Sequence, residues 1–198
     1  MLKKQNVVVF DFDGTLSASD SNWEFCKYSF KHSIRPWLFI PIILVGFIAR
    51  LINPTSKQWR EYMRCFVTPK MVTDFSDAVV KSHKKNRFSW AKDQVAKEKK
   101  AGNKVVLISA GTNYLIPKLV DDIKFDAVLC SEMQEKRPYK YKFLCWGKNK
   151  VIAMDKWARD NKIIPNVVRA YSDSACDMPL MEIAKEQVWI DRKTGLRK

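Results

Sequence analysis

The chain has 198 residues, 46% of them hydrophobic, which is enough for one buried core with an inserted segment and too apolar for a disordered chain. A formal net charge of +15 points to an anionic partner (nucleic acid, an anionic membrane surface or a phosphorylated substrate), against the default of a solvated basic surface. Five scattered cysteines without a Cys-x-x-Cys pair, and only two histidines, His32 and His83, argue against a disulfide framework, a zinc site and a histidine-based triad.

The run Val7-Val8-Val9-Phe10 reads as a buried parallel strand, ended by a turn at Asp13-Gly14. Lys3 and Lys4 precede it, but the apolar stretch is too short for a signal peptide and meets Asp11 at once. Asp11 and Asp13, two residues apart, share one side of an extended backbone at the carboxyl end of the strand, where open α/β sheets place ligands. Their charges repel, and a divalent cation such as Mg²⁺ relieves the repulsion. With the Thr15 hydroxyl and the turn amides, this is equipment for phosphoryl transfer.

Residues 17–32 read as a loop entering an aromatic-rich helix. Residues 36–49, from Pro36 to Ala49, are uniformly apolar between Arg35 and Arg50. As a helix rising 1.5 Å per residue they reach about 21 Å, short of a hydrocarbon core of about 30 Å. A single crossing would also part Asp11 from the later strands. The segment is therefore a buried helix, a shallow interfacial anchor, or a re-entrant hairpin bent at Pro41 or Gly46. From Asn53 to Lys100 the pattern stays helical, with breaks at Pro54, Pro69 and near Asn86, and Trp59, Tyr62, Met63 and Phe66 form an amphipathic face suited to core packing. Lys81 to Lys104 is strongly basic, with Phe88 and Trp90 interleaved, which suits a solvated face, a lipid headgroup layer or single-stranded nucleic acid.

Gly102 caps the preceding helix, and residues 104–108 form a second buried strand that ends in Ser109-Ala110-Gly111-Thr112. Residues 127–130 form a third strand, 135–144 a weakly alternating hairpin, and 150–160 an amphipathic helix. Residues 167–171 are a fourth strand, ending in Ser172-Asp173-Ser174-Ala175-Cys176-Asp177, and 187–190 a fifth. Strands alternating with helices give a parallel sheet with right-handed crossovers.

Three strand ends thus carry polar groups: Asp11 and Asp13, Ser109, and Asp173 with Asp177, with Gly147-Lys148-Asn149-Lys150 before the last. This set, in this order, resembles the haloacid dehalogenase superfamily of phosphohydrolases over residues 7–20 and 101–190. Within it the chain is most similar to the phosphoserine-phosphatase-type branch, and to phosphatidylglycerophosphate phosphatase C-like members through Tyr171-Ser-Asp-Ser-x-x-Asp-x-Pro-Leu180 and the placing of the apolar stretch. The resemblance implies an α/β Rossmann-like core in residues 1–19 and 101–198 and a helical cap in 20–100, with an apolar, membrane-contacting segment at 36–52. It implies Asp11 as nucleophile and Asp13 as general acid and base, with Thr15 orienting Asp13. Ser109 and the Ala110 amide would hold a phosphoryl oxygen and Lys150, with Lys148 as runner-up, would neutralise charge. Mg²⁺ would be held by Asp11, Asp173 and the Asp13 carbonyl, with Asp177 behind it holding Lys150. Two positions depart from the phosphoserine branch: Cys176 stands for an Asn and Ser172 for a Gly. Asp20 keeps a shorter acid where that branch has a Glu that contacts the substrate amine.

The expected activity is Mg²⁺-dependent hydrolysis of a phosphomonoester, on a phosphorylated lipid such as phosphatidylglycerophosphate, at the cytoplasmic side and peripheral or monotopic on the inner membrane. The alternatives are a soluble phosphatase for phosphoserine or a sugar phosphate, and a nucleic-acid-binding or end-processing protein. The nucleic-acid reading is disfavoured, because no recognised binding motif accompanies the charge.

Overall fold

A computed structural model describes residues 2–198. Its centre is β1 (Lys3–Phe10), flanked by β2 (Lys104–Thr112) and β5 (Ile163–Ser172). With β3 (Ala127–Met133), β4 (Tyr141–Phe143) and β6 (Glu186–Trp189) they form one six-stranded sheet in the order β4-β3-β2-β1-β5-β6. All neighbours are parallel except β3 and β4, the antiparallel edge pair. Val7 to Phe10 are fully buried because both faces of the sheet are covered. Val7 and Val9 join Val106, Ile108, Met154, Leu180 and Met181 on one face, while Val8 and Phe10 join Val105, Leu107, Ala91, Val95 and Leu115 on the other.

β1 and β5 run longer than their apolar stretches predict. Lys3 to Asn6 pair with Ile163 to Asn166, so exposed polar residues are strand simply because each has a partner. The predicted hairpin at 135–144 lies earlier, with Glu132 and Met133 pairing with Phe143 and Tyr141 across a loop.

Between β1 and β2 run α1 (Ser21–His32), α2 (Arg35–Leu38), α3 (Ile40–Ile52), α4 (Lys57–Tyr62), α5 (Pro69–His83), a 3-10 turn (Lys84–Asn86) and α6 (Trp90–Lys100). Side-chain caps at Asp20, Ser56 and Thr68 start α1, α4 and α5. α6 lies on the sheet, where Gln94 donates to the Tyr171 hydroxyl at 2.9 Å and Glu98 meets Arg169. The two chain segments that join this helical stretch to β1 and α6 bond to each other, Phe88 N–H to the Leu16 carbonyl and Ala18 N–H to the Asn86 carbonyl, both at 3.0 Å. His83 seals this seam: it stacks on Phe12 and bonds the hydroxyls of Ser17 at 3.0 Å and Ser19 at 3.2 Å.

The apolar segment is neither a buried helix nor a bent hairpin. It breaks at Phe39, and α3 then runs unbroken from Pro41 in its first turn through Gly46. Ile43 and Gly46 are buried; a Cβ on Gly46 would stand 2.9 Å from the Tyr62 Cβ, so α4 packs directly on that spot. Ile42, Leu44, Val45, Phe47, Ile48, Leu51 and Ile52 are exposed, as are Trp37 and Leu38 of α2. Among the described residues no helix is long and apolar enough to cross a membrane.

Five of the nine cations of the basic stripe meet acids of the chain itself, while Lys81, Lys85, Lys97 and Lys100 have no ion pair among the described residues. Lys84 pairs with Asp121, Arg87 and Lys92 with Asp122, and Lys99 and Lys104 with Asp126. Phe88 and Trp90 turn inward, Phe88 under Gly195 and Trp90 towards Tyr171, rather than outward between the charges.

After β2 come α7 (Ile116–Leu119), α8 (Lys148–Asp160), a 3-10 turn (Ala175–Asp177) and α9 (Met178–Met181).

Candidate active site

The carboxyl ends of β1, β2 and β5 open onto a cavity of about 550 Å³ whose other walls come from α1, α3, α4 and the loop before α8. Its floor is a chain of charge-assisted hydrogen bonds. Lys150, one turn into α8 and 2% exposed, donates to Asp11 Oδ1 and Asp177 Oδ2, each at 2.7 Å. Ser172 Oγ donates to the same Asp177 oxygen at 2.7 Å. Lys148 is exposed at the start of the helix. Two residues turn a helix by about 200°, so only one of the two lysines can face the sheet.

Asp13 is held on α1: Ser21 N–H donates to Oδ1 at 2.7 Å and Ser21 Oγ to Oδ2 at 2.9 Å. Thr15 accepts from the Asp173 N–H at 3.0 Å and donates to Asp173 Oδ1 at 3.3 Å, tying the end of β1 to the end of β5. Gly14 has φ +85°, and a Cβ there would lie 2.1 Å from Asp173 Oδ2, so only glycine lets the β1 turn sit against that carboxylate. Asp20 caps α1 by accepting from Trp23 N–H at 2.8 Å and borders the cavity. Ala110 also reaches the cavity wall, while the fully buried Ser109 hydroxyl accepts from Gly111 N–H at 3.0 Å.

Burial dominates the electrostatics. It pushes the Asp11 carboxyl up to about 7, with the Lys150 ammonium pulling down and Asp177 adding to the rise. Burial raises Asp13 well above the carboxylate range, helped by Asp20, and raises Asp173 too. Burial works against the Lys150 cation, but Asp11 and Asp177 outweigh it and hold its pKa above the ordinary value.

Four acids, Asp11, Asp13, Asp173 and Asp177, gather on the floor around the single Lys150 ammonium, while Arg50, Arg60, Arg64 and Arg192 line the walls; a small cation at the floor would offset the burial that resists charge on those acids. Among the described residues no three His, Cys, Asp or Glu side chains gather as a ligand cluster, and the Asp13 carboxylate is turned to Ser21. The donor set that remains, the Asp11 and Asp173 carboxylates with the Asp13 carbonyl, is all oxygen and fits a small hard cation completed by other oxygens.

Several wall residues are absent from the motifs. Arg64 is buried and donates to Asn22 Oδ1 and the Tyr141 hydroxyl, both at 3.4 Å, and to the Tyr114 hydroxyl. The Arg60 guanidinium lies between two indoles, 4.3 Å from the Trp59 ring and 4.4 Å from Trp146, and Arg50 lies 5.1 Å from Trp59. Trp59 and Met63, expected in the core, border the cavity; Tyr62 is exposed, and Phe66 is fully buried. Arg192, near Asp173, also borders it. Ser21, Tyr114, Tyr141, Trp146 and Arg192 carry no sequence signal, because each reaches the site only through distant packing.

A profile of the haloacid dehalogenase-like hydrolases matches residues 8–182. No curated protein sequence matches the chain. Among solved structures, a Bordetella pertussis Tohama I protein of unknown function is similar with a TM-score of 0.74 at 17% identity, covering 98% of this chain and 93% of its own. A phospho-aspartyl intermediate analogue of phosphoserine phosphatase has a TM-score of 0.66 at 16% identity, covering 95% and 87%. Phosphoserine phosphatase in apo form has 0.67 at 15%, covering 94% and 86%.

Proposed function

The chain belongs to the haloacid dehalogenase-like hydrolases, and from that premise we propose that it is a phosphomonoester hydrolase working through an aspartyl-phosphate. The observation that carries this reading is the buried Asp11–Lys150–Asp177 chain beneath the cavity, with Asp13 anchored beside it. An Asp11 oxygen attacks phosphorus and the bond to the leaving alkoxide breaks. Asp13, whose pKa burial raises, gives its proton to that oxygen. Asp13 then takes a proton from a water that attacks phosphorus; the bond to Asp11 breaks, and inorganic phosphate leaves. Lys150 stabilises charge gathering on the phosphoryl oxygens, and the Ala110 amide on the cavity wall would hold one of them. Asp11, Asp173 and the Asp13 carbonyl would hold Mg²⁺, which supplies Lewis-acid neutralisation of the phosphoryl group.

The proposed substrate is a phosphorylated lipid such as phosphatidylglycerophosphate. What supports it is the exposed apolar face of α2 and α3 beside a cavity wall rich in arginine, with Phe47 and Arg50 of α3 bordering the cavity itself. Such a face suits shallow insertion into an anionic leaflet, peripheral or monotopic at the cytoplasmic side. The division into a core of 1–19 and 101–198 and a cap of 20–100 remains part of this proposal. A phosphoserine phosphatase is the second reading, favoured by an acid and a guanidinium, Asp20 and Arg64, in the same cavity.

The test is phosphate release with Mg²⁺ from phosphatidylglycerophosphate in mixed micelles, phosphoserine and sugar phosphates. Asp11→Asn should lower turnover by at least about a thousandfold while keeping the fold by circular dichroism. Retained turnover in that variant sinks the mechanism, and release from the soluble esters alone sinks the lipid substrate.

A further inference from the structure

The cavity holds cations at two levels, Lys150 among the acids of the floor and arginines on the wall, and the phosphoryl chemistry uses only the floor. At the upper level Arg50 and Arg60 share the Trp59 ring, with Trp146 closing the other side of Arg60. Among the described residues neither arginine has an acidic partner. Arg60 donates only to the Pro54 and Ser56 carbonyls, at 3.4 and 2.9 Å. The adjacent acid, Glu61, is turned away to the Tyr141 N–H and Lys140. Burial and the neighbouring Arg50 both lower the Arg60 pKa, so the two cations sit close enough to disfavour each other. Two like charges placed on one indole repel, which offsets part of the cation–π attraction each of them gains. An anion between them removes the repulsion, and the indoles fix the planes of the guanidinium groups in advance.

We propose that Arg50 and Arg60 bind a second anionic group of the substrate, a phosphodiester, while the phosphomonoester occupies the Asp11 floor. This rests on the lipid-phosphate reading above. A diester has two unesterified oxygens, one for each guanidinium, and lies between a terminal phosphate and acyl glycerol. The position fits that order: Arg50 borders the cavity on α3, and the exposed apolar residues of the same helix begin beside it. Arg50, Arg60, Trp59 and Trp146 thereby decide which phosphomonoesters are taken.

The experiment compares four substrates in two pairs, with phosphoserine as a fifth. Phosphatidylglycerophosphate and its deacylated, water-soluble form both carry the diester; phosphatidic acid and glycerol phosphate are the lipid and soluble monoesters without it. In each pair the wild type should favour the diester carrier by about tenfold or more in kcat/KM, chiefly through KM, and Arg50→Gln/Arg60→Met should bring the ratio near one. A ratio near one in the wild type, one that survives in the double variant, or a preference for phosphoserine over both diester carriers overturns the proposal. Preference in both pairs assigns recognition to the diester itself; preference in the lipid pair alone makes recognition depend on the acyl chains that both lipids carry and overturns the proposal. If the wild type hydrolyses none of them, the phosphatase reading fails by itself. Binding of glycerophosphoglycerol, which has the diester and no monoester, then decides: saturable binding lost in the double variant upholds the arginine site, and no binding overturns it. Arg60→Lys, which keeps the charge without the planar fork, should restore only part of the affinity and guards against a folding defect in the double variant.

Discussion

The floor and the upper wall of the cavity hold their charged groups on opposite terms. On the floor every charge has a named partner at hydrogen-bond distance: Lys150 with Asp11 and Asp177, Asp13 with Ser21, Asp173 with Thr15. On the wall Arg50, Arg60 and Arg64 meet indoles, phenols and backbone carbonyls instead of carboxylates. The floor hangs from the ends of three parallel strands and is fixed by the sheet; the wall hangs from helices inserted between two of those strands. Groups that perform a reaction need fixed geometry, whereas groups that select a substrate need charge left free for it. Under the proposed function, the molecule separates the two tasks in space.

The sharpest break in the comparison is on the floor. Lys150→Met leaves Asp11 and Asp177 buried without a cation, which should cost about 3–5 kcal/mol of stability in urea unfolding and abolish turnover. An unchanged unfolding midpoint would show that the floor is not the paired structure described. At the seam, His83 tests how the helices are tied to the floor. Burial lowers its folded pKa below the ordinary 6.5, while Glu24 and Asp20 oppose this and Lys27 and Arg87 add to it. The unfolded chain therefore takes up this proton first. Stability from neutral His83 is full above pH 6.5 and is lost as pH falls towards and through the folded pKa. Urea midpoints at pH 7.5 and 5.5 should fall further for wild type than for His83→Gln; equal falls would remove the histidine from the seam's acid response. The smallest effect on folding is expected at the outer wall. Leu51, 85% exposed, should accept Asp with a change of no more than about 0.5 kcal/mol, while flotation with anionic vesicles falls. Vesicle binding unaffected by Leu51→Asp would separate the α3 face from any membrane.

Much of the floor was legible because its signals are local. Four apolar residues before Asp-x-Asp-Gly state a buried strand ending in acids, and Ser109 and Asp173 repeat the form after later strands. The resemblance ranked Lys150 ahead of Lys148 without excluding either, since both begin the same helix; the helix phase separates them, burying Lys150. The basic stripe stayed open between a solvated face and an anionic footprint because its acids, Asp121, Asp122 and Asp126, come after the next strand has turned back. The apolar run from Pro36 read equally as core or surface, because a helix that is hydrophobic on every side carries no phase.

The sequence by itself determined the α/β class, the order of the strand ends and the acids on them, because each is written in neighbouring residues. Tertiary structure alone decided what surrounds those acids. It closed Trp146 over Arg60, set Ser21 under Asp13, and left the outer face of α3 bare. The reason is physical: backbone period and turn chemistry act over a few residues, whereas burial, charge pairing and aromatic stacking depend on which distant segments the packed sheet brings together.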